Sequence, residues 1–239
     1  MSLTCVGESP QHGTVLLASR DIVAGECVLT EPPITVVDLA TEGDAASSYA
    51  RYSGLPVKLW SQFFHFVQQD VATQEAILTL FSPVDGPTAC QTREAVTRFL
   101  EGFSPRNKTV GAGTAGDIDA ELFVKVNMVY HFNAVTVLQG SGGSALFALA
   151  CRLTHACRPN CAWRWDEKGC RVVSALCSVA AGSRLSVDYL GGGQMESKEG
   201  REKRRQVLRA HYEFTCDCAS CTEDGLLFIY NHSPRVQHP

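Results

Sequence analysis

Three cysteines within six positions near the C-terminal end constrain the fold of this chain more than any other feature. Cys216, Cys218 and Cys221 form the pattern Cys-x-Cys-x-x-Cys, which places three thiolates within reach of one metal ion. A structural zinc site takes four tetrahedral ligands and prefers thiolates. The pattern therefore predicts a zinc site whose fourth ligand comes from a distant part of the chain.

The candidates for the fourth ligand centre on a polar stretch that lies between apolar segments, LTHACRPNC at residues 153–161. Cys157 is the first candidate and Cys161 the second, while His232 near the C-terminus is a third. Polar residues concentrated between apolar segments are typical of functional sites. The neighbouring His155 leaves open another interpretation, a Cys–His hydrolase that uses Cys157 as its nucleophile.

The composition indicates an ordered protein with no global preference for nucleic acid. The 239 residues are 45% hydrophobic, which is enough for one large domain or one domain with an appendage. A net charge of -4 and a pI of about 6.0 argue against direct nucleic-acid binding. We expect no membrane span, because no apolar run reaches about 18 residues. The N-terminal segment lacks the features of a secretory signal, so we expect an intracellular protein, in the cytoplasm, the nucleus or both. We also expect a monomer.

Hydrophobic spacing predicts a mixed succession of strands and helices. We expect short strands at 15–17 and 27–29, helices at 55–67, 71–80, 94–100 and 119–128, a β-rich segment at 129–138, and further strands at 161–173 and 185–190. Loops are expected at 104–116 and a frayed tail at the C-terminal end.

A charged helix is predicted at 198–212, directly before the three cysteines. Val207, Leu208 and Tyr212 form its apolar edge. The basic run at 203–205 is interpreted as a solvated helix face, with a localisation or docking patch as the alternative.

In order along the chain, four segments resemble SET-domain protein lysine methyltransferases, especially the SET-and-MYND branch. These segments are RDIVAGECVLTEPP at 20–33, HFNAVTV at 131–137, LTHACRPNCAWRW through AAGSRLSVDYL at 153–190, and RRQVLRAHYEFTCDCASC at 204–221. Cys90 is the only cysteine within residues 40–120, so we expect the chain to lack the MYND cluster of that branch, and we expect it to lack the branch's helical C-terminal domain as well.

The resemblance implies an α+β fold, namely a β-rich SET fold with a threaded (pseudoknot) C-terminal segment, a helical insert and a small post-SET zinc site. The implied domains are a SET core at 12–39 and 120–190, a helical insert at 40–119, a post-SET helix and zinc segment at 191–224, and a tail at 225–239.

The implied activity is transfer of a methyl group from S-adenosylmethionine to a lysine amine of a protein substrate. Tyr189 corresponds to the catalytic tyrosine of the family. Residues implied in cofactor binding are His12, Gly13, Thr14, Asn133, Leu153, Thr154, His155, Tyr189 and Phe214. The implied structural zinc is shared by Cys157, Cys216, Cys218 and Cys221.

Two departures from the family pattern support an alternative function. Val15 replaces a glycine in the first loop, and Thr154 replaces the asparagine of the Asn-His-Ser-Cys motif. Both changes fall on the cofactor side and alter backbone access and hydrogen bonding there. The alternative is a binding or scaffold module that keeps the SET fold and zinc but has little or no turnover.

Overall fold

The computed structural model describes residues 2–10, 12–38, 44–102, 118–137, 143–191 and 198–222. In these residues the strands are β1 (Thr4–Ser9), β2 (Gly13–Ala18), β3 (Cys27–Glu31), β4 (Thr35–Val37), β5 (Val135–Thr136), β6 (Ser144–Leu146), β7 (Thr154–His155), β8 (Cys161–Trp165), β9 (Arg171–Ala175) and β10 (Ser186–Val187). The helices are α1 (Asp44–Ser53), α2 (Val57–Val67), α3 (Val71–Leu78), α4 (Pro87–Gly102), α5 (Ala120–Asn133) and α6 (Lys198–Tyr212). Two compact units result, one from Pro32–Cys151 and one from Met1–Glu31 with Arg152–Pro239.

The unit formed by Pro32–Cys151 is built around aromatic side chains of α2 and α5. Trp60 and Phe123 are fully buried, and their ring centroids lie 4.5 Å apart. Phe63 packs on the same Phe123 ring at 5.1 Å. Burying an aromatic side chain of this size stabilises a fold by about 1.5–3 kcal/mol. The helical spacing of these aromatics in the sequence therefore reflects a core.

Helix α5 corrects one sequence-based expectation. The segment 129–138 was predicted to be β-rich, but α5 continues through Asn133 and only Val135–Thr136 form a strand. Val129 and Tyr130 are buried on the helix. A helix that is apolar on most of its surface is a buried helix, and burial overrides the strand preference of β-branched and aromatic residues. The predicted strand over 129–133 is therefore wrong.

A small antiparallel sheet completes this unit, with β6 between β4 and β5. Thr35 lies opposite Leu146, and Val135 lies opposite Ala145. The predicted loop at 104–116 and the tail at 225–239 lie outside the described residues.

The other unit contains the remaining strands in three small groups. Strands β1 and β2 form an antiparallel pair, β9 lies between β3 and β8, and β7 pairs in parallel with β10. The strands predicted at 15–17 and 27–29 are confirmed. They belong to different sheets, because β2 pairs with β1 and β3 pairs with β9. The N-terminal strand β1 was not predicted.

Asn160 connects the Arg-Pro-Asn turn to the strand that precedes Tyr189. Its Oδ1 accepts a hydrogen bond from the backbone nitrogen of Ser186 at 2.8 Å, and its Nδ2 donates to the carbonyl of Arg184 at 2.9 Å. The Asn160 side chain therefore satisfies two backbone groups in the way that a neighbouring strand would. This contact fixes the position of β10 relative to residues 153–161.

Separate helices and small, mainly antiparallel sheets match the predicted α+β class. Among the helices of the described residues, none has the length and apolar character needed to cross a membrane.

Candidate functional site

Four buried sulfur atoms meet where α6 ends. They lie within 4.8 Å of one another and belong to the cysteine cluster, which comprises Cys157, Cys216, Cys218 and Cys221. Sγ of Cys157 is 3.5 Å from Sγ of Cys221 and 4.0 Å from Sγ of Cys216. Tetrahedral zinc with Zn–S distances of about 2.3 Å requires S–S distances of about 3.8 Å. The donor type and spacing of the cluster therefore fit a zinc ion.

The electrostatics of the cysteine cluster also favour a cation. Hydrogen bonds with the neighbouring thiols lower the pKa of Cys218, whereas the same interactions raise the pKa of Cys216. One thiolate therefore makes ionisation of the next unfavourable. Four ionised thiolates in a buried site therefore need positive charge close by, which a bound metal ion supplies.

The structure selects between the candidates for the fourth ligand. Cys157 joins the cluster, whereas Cys161 is buried in β8 and is not part of the sulfur group. His232 lies outside the described residues. Nε2 of His155 lies 3.4 Å from Sγ of Cys157, a distance compatible with a Cys–His dyad. The three other sulfurs around Cys157 favour metal binding over nucleophilic catalysis.

Arg204 of α6 faces the cysteine cluster, which corrects the interpretation of the basic run at this position. The run at 203–205 was predicted to be a solvated face, but Arg204 is buried and donates from Nε to Sγ of Cys157 at 3.2 Å. Arg201 is buried as well. Burial lowers the pKa of Arg204, but hydrogen bonds and charges of Cys157 and Cys221 outweigh burial and leave its pKa raised.

His155 links the cysteine cluster to the segment of Tyr189. The backbone nitrogen of Tyr189 donates to Nδ1 of His155 at 3.2 Å. Since a backbone N–H can only donate, Nδ1 is the acceptor and Nε2 carries the proton that faces Cys157. The carboxylate of Asp188 is farther from Nδ1, at 3.8 Å. Burial lowers the pKa of His155 although Asp188 opposes this effect, which agrees with a neutral ring.

The Tyr189 side chain is fixed by a hydrogen bond and by aromatic neighbours. Its hydroxyl donates to the carbonyl of Leu153 at 2.5 Å. Its ring lies 5.1 Å from that of Tyr212 and 5.4 Å from that of His155. Phe214 is next to the same group, 6.3 Å from the His155 ring. The predicted residues Tyr189, Leu153, His155 and Phe214 are therefore brought together.

The predicted cofactor loop at His12–Thr14 is tied to the zinc segment. Nε2 of His12 lies 3.2 Å from Oδ2 of Asp217, which stands between two residues of the cysteine cluster. Gly13 has a φ of +63°, and a side-chain carbon added there would meet no atom within 4 Å. Thr14 donates from its hydroxyl to Glu8 at 3.0 Å. Gly13 thus offers open backbone that a ligand can approach.

The two departures from the family pattern have defined surroundings. The Val15 side chain is buried in the interior of its unit. The hydroxyl of Thr154 donates a hydrogen bond of 3.3 Å to the carbonyl of Leu185, the residue directly before β10. Asn133 belongs to the other unit, where its amide donates to the carbonyls of Phe81 and Val129, both at 2.7 Å.

Residues 13–190, about three quarters of the chain, match the SET domain family. This chain belongs to the SET domain family. This match confirms the predicted α+β SET class. A similar protein that carries both a SET domain and a MYND-type zinc finger confirms the similarity to the SET-and-MYND branch.

Similar proteins of this SET domain include named histone methyltransferases. Histone-lysine N-methyltransferase set5 of Schizosaccharomyces pombe is 28% identical over 39% of this chain and 27% of its own length. Histone-lysine N-methyltransferase ATXR2 of Arabidopsis thaliana is 33% identical over 35% of this chain and 17% of its own length. SET domain and MYND-type zinc finger protein 6 of Schizosaccharomyces pombe is 29% identical over 44% of this chain and 21% of its own length. The alignments thus span about a quarter or less of each relative.

A solved structure shares the fold at low sequence identity. The SET domain of LSMT bound to lysine and AdoHcy superposes with a TM-score of 0.53 and 14% identity. The match covers 91% of this chain and 53% of that chain. At this identity the likeness is one of fold.

Sequence reasoning did not identify three residues that shape this site. Arg204 was assigned to a solvated helix face, Asp217 was given no role, and Asn160 was interpreted only as part of a turn that leads into the next strand. Asp217 could have been noticed, because it stands between two predicted zinc ligands. Its partner His12 is 205 positions away, a contact that spacing along the chain does not reveal.

Proposed function

We propose that this chain is an S-adenosylmethionine-dependent protein-lysine N-methyltransferase. Membership of the SET domain family supports this, and so does the similarity to two histone-lysine N-methyltransferases. The observation that carries the proposal is the fixed position of Tyr189, whose hydroxyl is held at Leu153 next to the strand Thr154–His155.

In this proposal Tyr189 orients the reacting amine. The Tyr189 hydroxyl donates a hydrogen bond to the carbonyl of Leu153, so the lone pairs of the hydroxyl oxygen remain to accept a hydrogen bond from a lysine amine. A fixed acceptor aims the nitrogen lone pair, which reduces the entropy lost on reaching the transition state. The lysine amine would release a proton to solvent before transfer, and its lone pair would then take the methyl group as the carbon–sulfur bond of the sulfonium breaks, which would leave a neutral thioether.

S-adenosylmethionine supplies the methyl group as a sulfonium when it is bound. The residues proposed to hold it are His12, Gly13, Thr14, Asn133, Leu153, Thr154, His155, Tyr189 and Phe214. The open backbone at Gly13 and the aromatic ring of Phe214 fit such a ligand. How Asn133 contributes stays a prediction.

The zinc ion in this proposal is structural, and the cysteine cluster holds it. It would fix the segment that carries Asp217 and Phe214 and would thereby support the cofactor side of the site. Four cysteine sulfurs would complete a tetrahedral zinc site, which would leave no open coordination position of the kind that catalytic zinc requires.

The remaining assignments are also proposals. The domain limits are 12–39 and 120–190 for the SET core, 40–119 for the insert, 191–224 for the post-SET segment and 225–239 for the tail. In the structure, α5 packs with the helices of the proposed insert. We propose a monomer in the cytoplasm, the nucleus or both, which acts on a protein substrate and does not bind nucleic acid or membranes.

Two measurements test this function. Calorimetry of the zinc-loaded protein should show binding of S-adenosylmethionine. Incubation with labelled cofactor and either histones or a cell extract should then label lysine residues, and Tyr189→Phe should remove the label. A zinc-loaded protein that binds no cofactor would overturn the enzyme assignment and favour the scaffold alternative, for which the engaged hydroxyl of Thr154 is the supporting observation.

A further inference from the structure

Two N–H groups converge on the sulfur of Cys157. Nε of Arg204 lies 3.2 Å from this sulfur, and Nε2 of His155 lies 3.4 Å from it on a ring whose other nitrogen accepts a bond from Tyr189. Hydrogen bonds from charged donors are roughly twice as strong as those between neutral groups. Cys157 is the zinc ligand that comes from the distant part of the chain, so its sulfur holds the two ends of the site together.

The negative charge of the cysteine cluster explains why an arginine can be buried beside it. Four thiolates and one Zn²⁺ carry a net charge of about -2, because each thiolate contributes one negative charge. A buried charge is costly unless it is paired. Arg204 is itself buried, at 8% exposure. The positive charge of the arginine and the negative charge of the zinc–thiolate group therefore offset each other.

The position of Arg204 on α6 gives this contact a mechanical basis. Leu208, one turn further along the helix, is fully buried against the same four cysteines. Residues four apart on a helix lie on one face. The apolar contact of Leu208 thus holds the helix face that presents Arg204 to the sulfur.

We propose that Arg204 is a positioning residue of the zinc site, which holds the Cys157 thiolate in place and offsets the negative charge of the cluster. This inference rests on the zinc part of the proposed function and does not depend on methyl transfer. Its consequence is that Arg204 sets how slowly the protein loses zinc and how unreactive Cys157 is while zinc is bound.

The test compares Arg204→Met and Arg204→Lys with Arg209→Met in otherwise intact, metal-loaded protein. Arg209 is a matched control, because it is an exposed arginine of the same helix that donates to the hydroxyl of Thr215. Zinc transfer to a chelator should become roughly 10- to 100-fold faster in Arg204→Met, because losing a residue that supports a metal ligand weakens metal affinity by about that factor. Arg204→Lys should fall between wild type and Arg204→Met, and Arg209→Met should match wild type.

A second measurement separates a direct contact from general loosening of the fold. In cobalt-substituted protein, Arg204→Met should shift the sulfur-to-metal charge-transfer bands to lower energy, because a thiolate without its hydrogen bond is a stronger electron donor. Alkylation of Cys157 in the zinc-loaded protein should accelerate in parallel. Faster zinc loss with unchanged cobalt bands would show a merely structural role and overturn the inference.

The outcomes also distinguish this inference from the proposed function. Wild-type protein that binds zinc, with variants that behave identically, would overturn the role of Arg204 alone. Wild-type protein purified without zinc and unable to bind it would overturn both the zinc assignment and this inference. Methyltransferase activity enters neither result.

Discussion

The Nδ1 atom of His155 accepts a hydrogen bond of 3.2 Å from the backbone N–H of Tyr189. The opposite nitrogen of the same ring faces Sγ of Cys157 at 3.4 Å. A single neutral imidazole therefore joins the proposed catalytic tyrosine to a zinc ligand. The link means that the metal site and the reaction site cannot be altered independently at this position.

His155→Ala should destabilise the fold. The substitution removes the acceptor of the Tyr189 N–H, and a buried donor without a partner costs about 1–3 kcal/mol. The substitution also leaves a cavity in the place of a ring that is fully buried. The free energy of unfolding measured with urea should fall by about 2–4 kcal/mol.

The control for this prediction is His211→Ala, an exposed histidine in the last turn of α6. It should change the free energy of unfolding by less than about 0.5 kcal/mol. If His155→Ala were as stable as this control, the ring would have no bridging role.

Tyr189→Phe should slow methyl transfer strongly while leaving zinc bound. The ring and its contacts with His155 and Tyr212 remain, but the hydroxyl that orients the amine is lost. Removing one oriented hydrogen-bonding group from an active site lowers kcat by roughly 10²- to 10³-fold. Loss of the bond to Leu153 should cost only about 1 kcal/mol of stability.

Labelled methyl incorporation and metal analysis of the same sample check the Tyr189→Phe prediction. Tyr52→Phe is the control, since Tyr52 is 66% exposed and has no part in the proposed mechanism. Loss of zinc from Tyr189→Phe would instead identify Tyr189 as a structural residue.

The sequence was sufficient to predict the site where its chemistry is local. The three cysteines at 216–221 require a fourth zinc ligand, and ligand counting together with the family motif led to Cys157, which the structure places in the cluster. The order and spacing of the four matching segments were enough to predict the SET class, because a family pattern of this length seldom occurs by chance.

The contacts that the sequence did not reveal are those made across long distances or by burial. Arg204 has the composition of a solvated helix face, and only its contact with a buried sulfur changes that interpretation. The helix α5 has the β-branched and aromatic residues of a strand, and its burial among other helices decides the outcome. Local preference cannot predict either, because tertiary packing overrides it.

Asp217→Asn should weaken binding of S-adenosylmethionine without removing zinc. The carboxylate of Asp217 lies 3.2 Å from His12 and 4.0 Å from Arg184, and it ties the loop around Gly13 to the zinc segment. Exposed ion pairs contribute about 0.2–1 kcal/mol, which corresponds to roughly a 1.5- to 5-fold rise in Kd.

Calorimetry on Asp217→Asn, His12→Ala and the double variant tests whether the two residues act through each other. The combined loss should be smaller than the sum of the two single losses, because both remove the same contact. Additive losses would mean that His12 and Asp217 act separately, and an unchanged Kd would remove both from the cofactor side of the site.

Cys161 should make the fold less stable in alkaline solution. Burial in β8 raises the pKa of its thiol from 9.0 to about 11, with a smaller contribution from Cys177. The folded state therefore holds this proton more tightly than the unfolded state. The resulting stabilisation is fully present below the unfolded pKa of about 9 and is lost as the pH rises through the folded pKa.

Urea unfolding between pH 8 and pH 11 should show a decline in the free energy of unfolding that is less steep in Cys161→Ala. Cys27→Ala, at an exposed cysteine, should leave the slope unchanged, and an equally steep decline in Cys161→Ala would show that another group causes it.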